Sequence, residues 1–73
     1  MGQLGNIAGK TAVKAFERAG WFVRGQVGSH TMMNKPGIYA NLSIPHHKEL
    51  SVGTLRKLIR AAGMTVDDFL DLL

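Results

Sequence analysis

The sequence predicts an α+β domain. A three-stranded antiparallel sheet is covered on one face by two amphipathic helices, and a short acidic helix follows. Three observations predict it. Tyr39, Asn41 and Ser43 alternate with Ile38, Ala40, Leu42 and Ile44, the period of a strand buried on one face. Over residues 7–19 and 51–62, apolar residues recur at helical spacing. Between those stretches lie turn signals at Gly28 and at Pro36-Gly37, close enough that the segments they join pair as a meander.

Each element has its own local reason. Residues 1–6 (MGQLGN) hold two glycines and no periodic pattern, and read as a flexible N-terminus. In the first helical pattern Ala12, Val13, Phe16 and Ala19 share one face and Lys10, Lys14, Glu17 and Arg18 the other, so a helix is expected over Lys10–Ala19. Gly20 stops it. Trp21–Gln26 has strand composition, and Trp21, directly after the helix stop, is expected to anchor the core. Ser29–Met33 and Ile38–Ile44 are the second and third strands, with Pro45 ending the sheet. Ser51 is the expected N-cap of a helix reaching Ala62. It carries Val52, Leu55, Leu58, Ile59 and Ala62 inward, and Arg56, Lys57 and Arg60 outward. After Gly63, Thr65-Val66-Asp67-Asp68 has the form of a capping box with Asp in place of Glu, and opens a short helix within residues 65–73. The 73 residues are too few for a second full domain, so residues 1–73 are expected to form one.

Composition narrows the function classes. The chain has 45% apolar and 19% charged residues, a globular balance. With no cysteine it has neither a disulfide framework nor thiolate metal sites. No apolar run approaches membrane-spanning length and no secretory leader pattern is visible, so a cytoplasmic protein with no membrane partner is expected. All nine Lys and Arg precede Gly63, where only Glu17 and Glu49 oppose them; Asp67, Asp68 and Asp71 follow it. The body is therefore +7 before a −3 end, a charge that attracts polyanions or serves only solubility.

The motifs divide sharply. Gly5-x-x-x-Gly9-Lys10-Thr11 falls one residue short of a phosphate loop and follows no strand; Gly9-Lys10 is better read as a helix start. His46-His47 stand side by side on an extended stretch, where their side chains diverge, so no metal site is expected and the pair reads as solvated. Met32 and Met33 read as packing residues. The acids after Gly63 are explained by their place at a helix N-terminus. A histidine is then the best candidate for proton transfer in the basic body, and Gly28-Ser29-His30 places one at a turn-to-strand edge. On the tripeptide alone, an ordinary surface histidine is the simpler reading.

A longer pattern changes that balance. Gly9-Lys10, Lys14-Ala15-x-Glu17-Arg18-Ala19-Gly20-Trp21, Gly28-Ser29-His30, Ile44-Pro45-x-His47-Lys48-Glu49-Leu50 and Gly53-Thr54-Leu55-Arg56-x-Leu58-Ile59-x-x-Ala62-Gly63 occur in this order. Over roughly residues 9–64 the chain resembles the HicA (YcfA-like) toxin family. The resemblance implies a fold like a double-stranded RNA-binding domain, and a ribonuclease that cuts mRNA and is neutralised by a HicB antitoxin covering its active site. It implies His30 as the catalytic residue, with Gly28 and Ser29 as the supporting motif, and no metal or organic cofactor. Lys10, Arg24 and Lys35 are expected from position to contact RNA phosphates. The chain departs from many members after the tripeptide, reading Thr31-Met32-Met33 where they carry a polar residue and then an aromatic. Two other readings stand beside the nuclease: a non-catalytic module that binds duplex RNA by shape, and an inactive relative retained as an antitoxin partner.

Overall fold

The structure, a computed structural model, describes residues 4–73. Its elements run α1 (Gly9–Arg18), β1 (Phe22–Val27), β2 (His30–Lys35), β3 (Ile38–Pro45), α2 (Val52–Ala61) and α3 (Val66–Leu70). The strands form one antiparallel sheet in the order β1-β2-β3, as the periodicity predicts. α1 and α2 pack against the same face of it.

Both long helices stop by the same device. After α1, the Gly20 N–H donates to Glu17 O at 3.0 Å and the Trp21 N–H to Phe16 O at 3.0 Å; after α2, Gly63 bonds Arg60 O at 3.0 Å and Met64 bonds Ile59 O at 3.1 Å. These pairs satisfy carbonyls that a helix end leaves open. Gly20 turns the chain so that Trp21 is buried, as expected of an anchor. Its indole Nε1 is enclosed with no hydrogen-bond partner among the described residues. At α3 the capping box is complete: Thr65 Oγ1 accepts from the Asp68 N–H at 3.0 Å, and Asp68 Oδ2 from the Thr65 N–H at 3.1 Å.

The core joins Ala12, Ala15 and Phe16 of α1, Met33 of β2, Leu42 and Ile44 of β3, and Leu55, Leu58 and Ile59 of α2. Both ends of the chain complete it. Phe69 of α3 is buried against Phe16, ring centroids 5.1 Å apart, and Arg18 Nη1 donates to Leu72 O at 2.6 Å. Leu4, which falls in the segment expected to be flexible, is only 5% exposed and lies in the core beside Ile7. A domain this small buries a modest share of its surface, so such additions from the ends matter. Residues 1–3 of that segment lie outside the described residues.

Two irregularities decide which side chains share a face. In β1 the pairing runs Val23↔Met33, then Gly25↔Met32, so Arg24 is bulged out. The bulge shifts the alternation by one residue. Gln26 therefore pairs with Thr31 on the helix side, and Val27 with His30 on the open side. In β3 three residues, 39–41, stand against Asn34 alone, a shift of two that leaves the faces unchanged.

The start of α1 meets the end of β3 without side-chain clearance. A Cβ built on Gly9 would collide with the Pro45 carbonyl oxygen, itself backbone and unable to swing away. Gly53, in the first turn of α2, has nothing within 4 Å of the same position. Gly9→Ala is therefore expected to lower unfolding free energy by about 1–3 kcal/mol, the usual cost of overpacking. Gly53→Ala is expected to raise it by up to about 1 kcal/mol, through helix propensity. Paired urea melts check both signs, and an unchanged Gly9→Ala melt would refute the close approach.

Candidate functional site

A two-residue hairpin loop, Gly28-Ser29, brings β1 into β2. Gly28 takes φ +59° at the first central position, as a type II′ turn requires of a glycine. His30 is consequently the first residue of β2, paired with Val27 on one side and Pro45 on the other. Thr31 and Met33 are buried beneath the helices, so His30, Met32 and Asn34 alternate onto the open face.

The imidazole of His30 is half-buried and held. Its Nδ1 lies 2.8 Å from Ser43 Oγ, one diagonal step across the sheet. A hydroxyl both donates and accepts, so Ser43 can hold Nδ1 in either protonation state. That engagement leaves Nε2 as the nitrogen available to an incoming group. A ring fixed through one nitrogen and open at the other is the arrangement a general acid or base needs.

Behind β2, on the helix side, lies a cleft of about 550 Å³. Lys10, Lys14 and Glu17 of α1 form one wall; Gln26 and Thr31 of the sheet and the segment His46–Lys48 form the others. Three ammonium groups against one carboxylate make it cationic. Backbone hydrogen bonds hold its rim: Gly9 N–H to His47 O at 2.9 Å, Leu50 N–H to Ile7 O at 2.7 Å, and His46 N–H to Ser29 O at 2.8 Å. His46 is exposed, yet its Nε2 is hydrogen-bonded to the hydroxyl of the buried Thr31. Of the pair expected to be merely solvated, one imidazole is thus tethered to the sheet beside His30. Among the described residues no three His, Asp or Glu side chains are grouped so as to hold a metal ion.

The expected phosphate contacts separate in space. Lys10 stands in the cleft at the same end of the sheet as His30. Arg24 is on the open face, its Nε donating to Asn34 Oδ1 at 2.6 Å and its guanidinium 5.3 Å from the Phe22 ring centroid. Lys35 ends β2, about 17 Å along the strand from His30 at the usual rise per residue. Its Nζ donates to Ala19 O at 2.9 Å, satisfying the end of α1. Sequence reasoning missed Ser43, Thr31, Lys14 and Lys48. Ser43 had a signal, since the period-two pattern already put it on the face opposite Leu42 and Ile44.

The sequence model of the family described as HicA toxin of bacterial toxin-antitoxin matches residues 9–64 of the 73. No curated protein matches the chain. The match takes in α1, the sheet and α2, and therefore both the His30 edge and the cleft.

The Ser43 contact makes a spectroscopic prediction. In Ser43→Ala the His30 Nδ1 and Nε2 resonances are expected to move together, as the tautomer balance is released, while those of His47 stay in place. Long-range ¹H–¹⁵N spectra of the imidazoles read this directly. Unmoved His30 resonances would show that Ser43 does not hold the ring.

Proposed function

The chain belongs to the HicA toxin family of bacterial toxin–antitoxin systems, and from that premise we propose that it is an endoribonuclease. It cuts mRNA in the cytoplasm with His30 and without a metal, and a HicB-type antitoxin protein neutralises it. The observation that carries this reading is the His30 ring, held at Nδ1 by Ser43 and open at Nε2, on the edge of a basic domain.

The chemistry needs little else. The RNA 2′-oxygen attacks the adjacent phosphorus as its proton is removed. The bond to the 5′-oxygen breaks, that oxygen takes a proton, and a 2′,3′-cyclic phosphate remains. His30 Nε2 carries one of the two proton transfers, a contribution of about 10²- to 10⁴-fold. As the ring gains or loses its proton at Nε2, Nδ1 keeps its own proton and donates it to Ser43 Oγ throughout, so the imidazole keeps its orientation. Positive charge near the phosphorane stabilises it. Lys10, Lys14 and Lys48, in the cleft behind β2, neutralise the phosphates flanking the cut rather than the phosphorane itself. Arg24 can reach the strand from the open face, whereas Lys35 serves α1 and is assigned no RNA contact.

His30→Ala is expected to lower cleavage of a long RNA by at least about 10²-fold. Unfolding free energy should stay within about 1 kcal/mol of wild type, because a half-buried edge side chain leaves no large cavity. Wild-type cleavage should persist in EDTA. Loss of activity in EDTA would refute the metal-free mechanism, and an active His30→Ala protein would refute the site.

The cationic cleft makes a separate prediction about salt. Removing one lysine that neutralises a phosphate makes the slope of log affinity against log salt shallower by about one. Lys10→Ala and Lys48→Ala are each expected to show that reduction for RNA, and Arg60→Ala on the far helix is not. Equal slopes for all three would remove the cleft from the RNA path.

A further inference from the structure

Among the described residues, no helix covers the sheet face that carries His30. On it the bulge in β1 and the alternation of β2 and β3 gather Phe22, Arg24, Val27, Asn34, Tyr39 and Asn41. Three of these are large apolar or aromatic residues left in solvent: Phe22 at 50% exposure, Val27 at 67% and Tyr39 at 104%. Scattered exposed apolar residues need no explanation, but three on one face beside a candidate catalytic histidine form a surface.

We propose that this open face is a stacking platform for the unpaired bases of single-stranded RNA, and that it makes the enzyme select single strands over duplex. The inference rests on the nuclease reading and specifies its substrate. Phe22 on β1 and Tyr39 on β3 stand on either side of Asn34. The usual strand spacing sets them about 10 Å apart, and the strand rise puts His30 about 13 Å away along β2. Arg24, over the Phe22 ring, adds a cation to the platform. Asn41 offers an exposed amide that can both donate to and accept from base edges.

Charge complementarity favours RNA as the occupant. The five acids of the chain lie on α1, in the 46–50 connection, on α3 or, for Asp71, directly after it, and no strand of the described residues carries a carboxylate. The platform is therefore aromatic, amide-bearing and free of negative charge. Open sheets with exposed aromatics stack two or three splayed bases in other RNA-binding modules. A duplex keeps its bases stacked inside and offers nothing to such rings.

The test measures binding on a His30→Ala background, so that RNA survives, with a fluorescein-labelled 12-nucleotide single strand and the same strand annealed to its complement. The single strand is expected to bind more tightly. Tyr39→Ala should weaken single-strand binding by roughly tenfold or more, as loss of one stacked base does. It should leave duplex binding unchanged, and Tyr39→Phe should restore the single-strand affinity. Tyr39 is fully in solvent, so its replacement does not endanger the fold. If Tyr39→Ala and Phe22→Leu both bind the single strand as tightly as the parent, the platform is wrong even where wild type cuts RNA. If those variants lose only affinity for a HicB-type antitoxin, the face is a protein-docking surface and the proposal is overturned. Equal or tighter duplex binding overturns the strand preference. Should the wild-type protein neither bind nor cut RNA, the nuclease reading falls, and this one with it.

Discussion

The contact on which the site depends is the approach of the first turn of α1 to the end of β3. Gly9 lies against the Pro45 carbonyl with no room for a Cβ, and its N–H bonds the carbonyl of His47. Leu50 bonds back to Ile7, and His46 bonds Ser29 in the loop before His30. Three stretches far apart in sequence are thereby joined through backbone groups, which tolerate little displacement. The junction sets the depth of the cleft, tethers the segment bearing His46, and fixes the loop that delivers His30.

The rest of the molecule supports that junction from a distance. A domain of this size has a thin stability margin, and the residues outside the matched span help supply it. Leu4 and Phe69 are both buried, one from each end of the chain. Phe69 meets Phe16 in the last turn of α1, and Arg18 reaches a carbonyl near the C-terminus. Lys35 closes that end of α1 through Ala19. α1 is therefore held at its start by the junction and at its end by an aromatic pair and a lysine. Its lysines are presented to the cleft from a fixed scaffold, which would limit the entropy cost of the proposed contact with a phosphate chain.

The site has two sides, separated by the thickness of one sheet. Cations gather behind β2, in the cleft; aromatics, amides and His30 lie in front. The loop Gly28-Ser29 is the edge where the two sides meet, and its glycine conformation brings the chain round in two residues. RNA has the same division, with charged phosphates on one side of the strand and apolar base faces on the other. A strand passing that edge would meet His30, the proposed proton-transfer group, where its backbone crosses from one surface to the other.

Periodicity by itself determined the element order, the helix stops at Gly20 and Gly63, the capping box at Thr65 and most inward residues of both long helices, because these depend on neighbours within one turn or one strand; Val52, expected inward, is 43% exposed, and Ala15 is buried although the pattern did not single it out. It also placed His30 at a strand edge and Ser43 on the face away from the core. Pairing across strands is a different matter. From the tight turn at Pro36-Gly37, the Lys35↔Ile38 pair implies that His30 stands opposite Ser43; the irregularity at 39–41 moves it opposite Pro45, and the contact becomes diagonal. The bulge at Arg24 moved Val27 to the open face and Gln26 to the cleft, reversing what strict alternation gives. Burial of Leu4, capture of Lys35 by α1 and the tether between Thr31 and His46 likewise join residues that local pattern cannot relate. Local sequence sets dihedrals and faces, but register and long-range contact follow from which packing closes the core, and only the folded chain decides that.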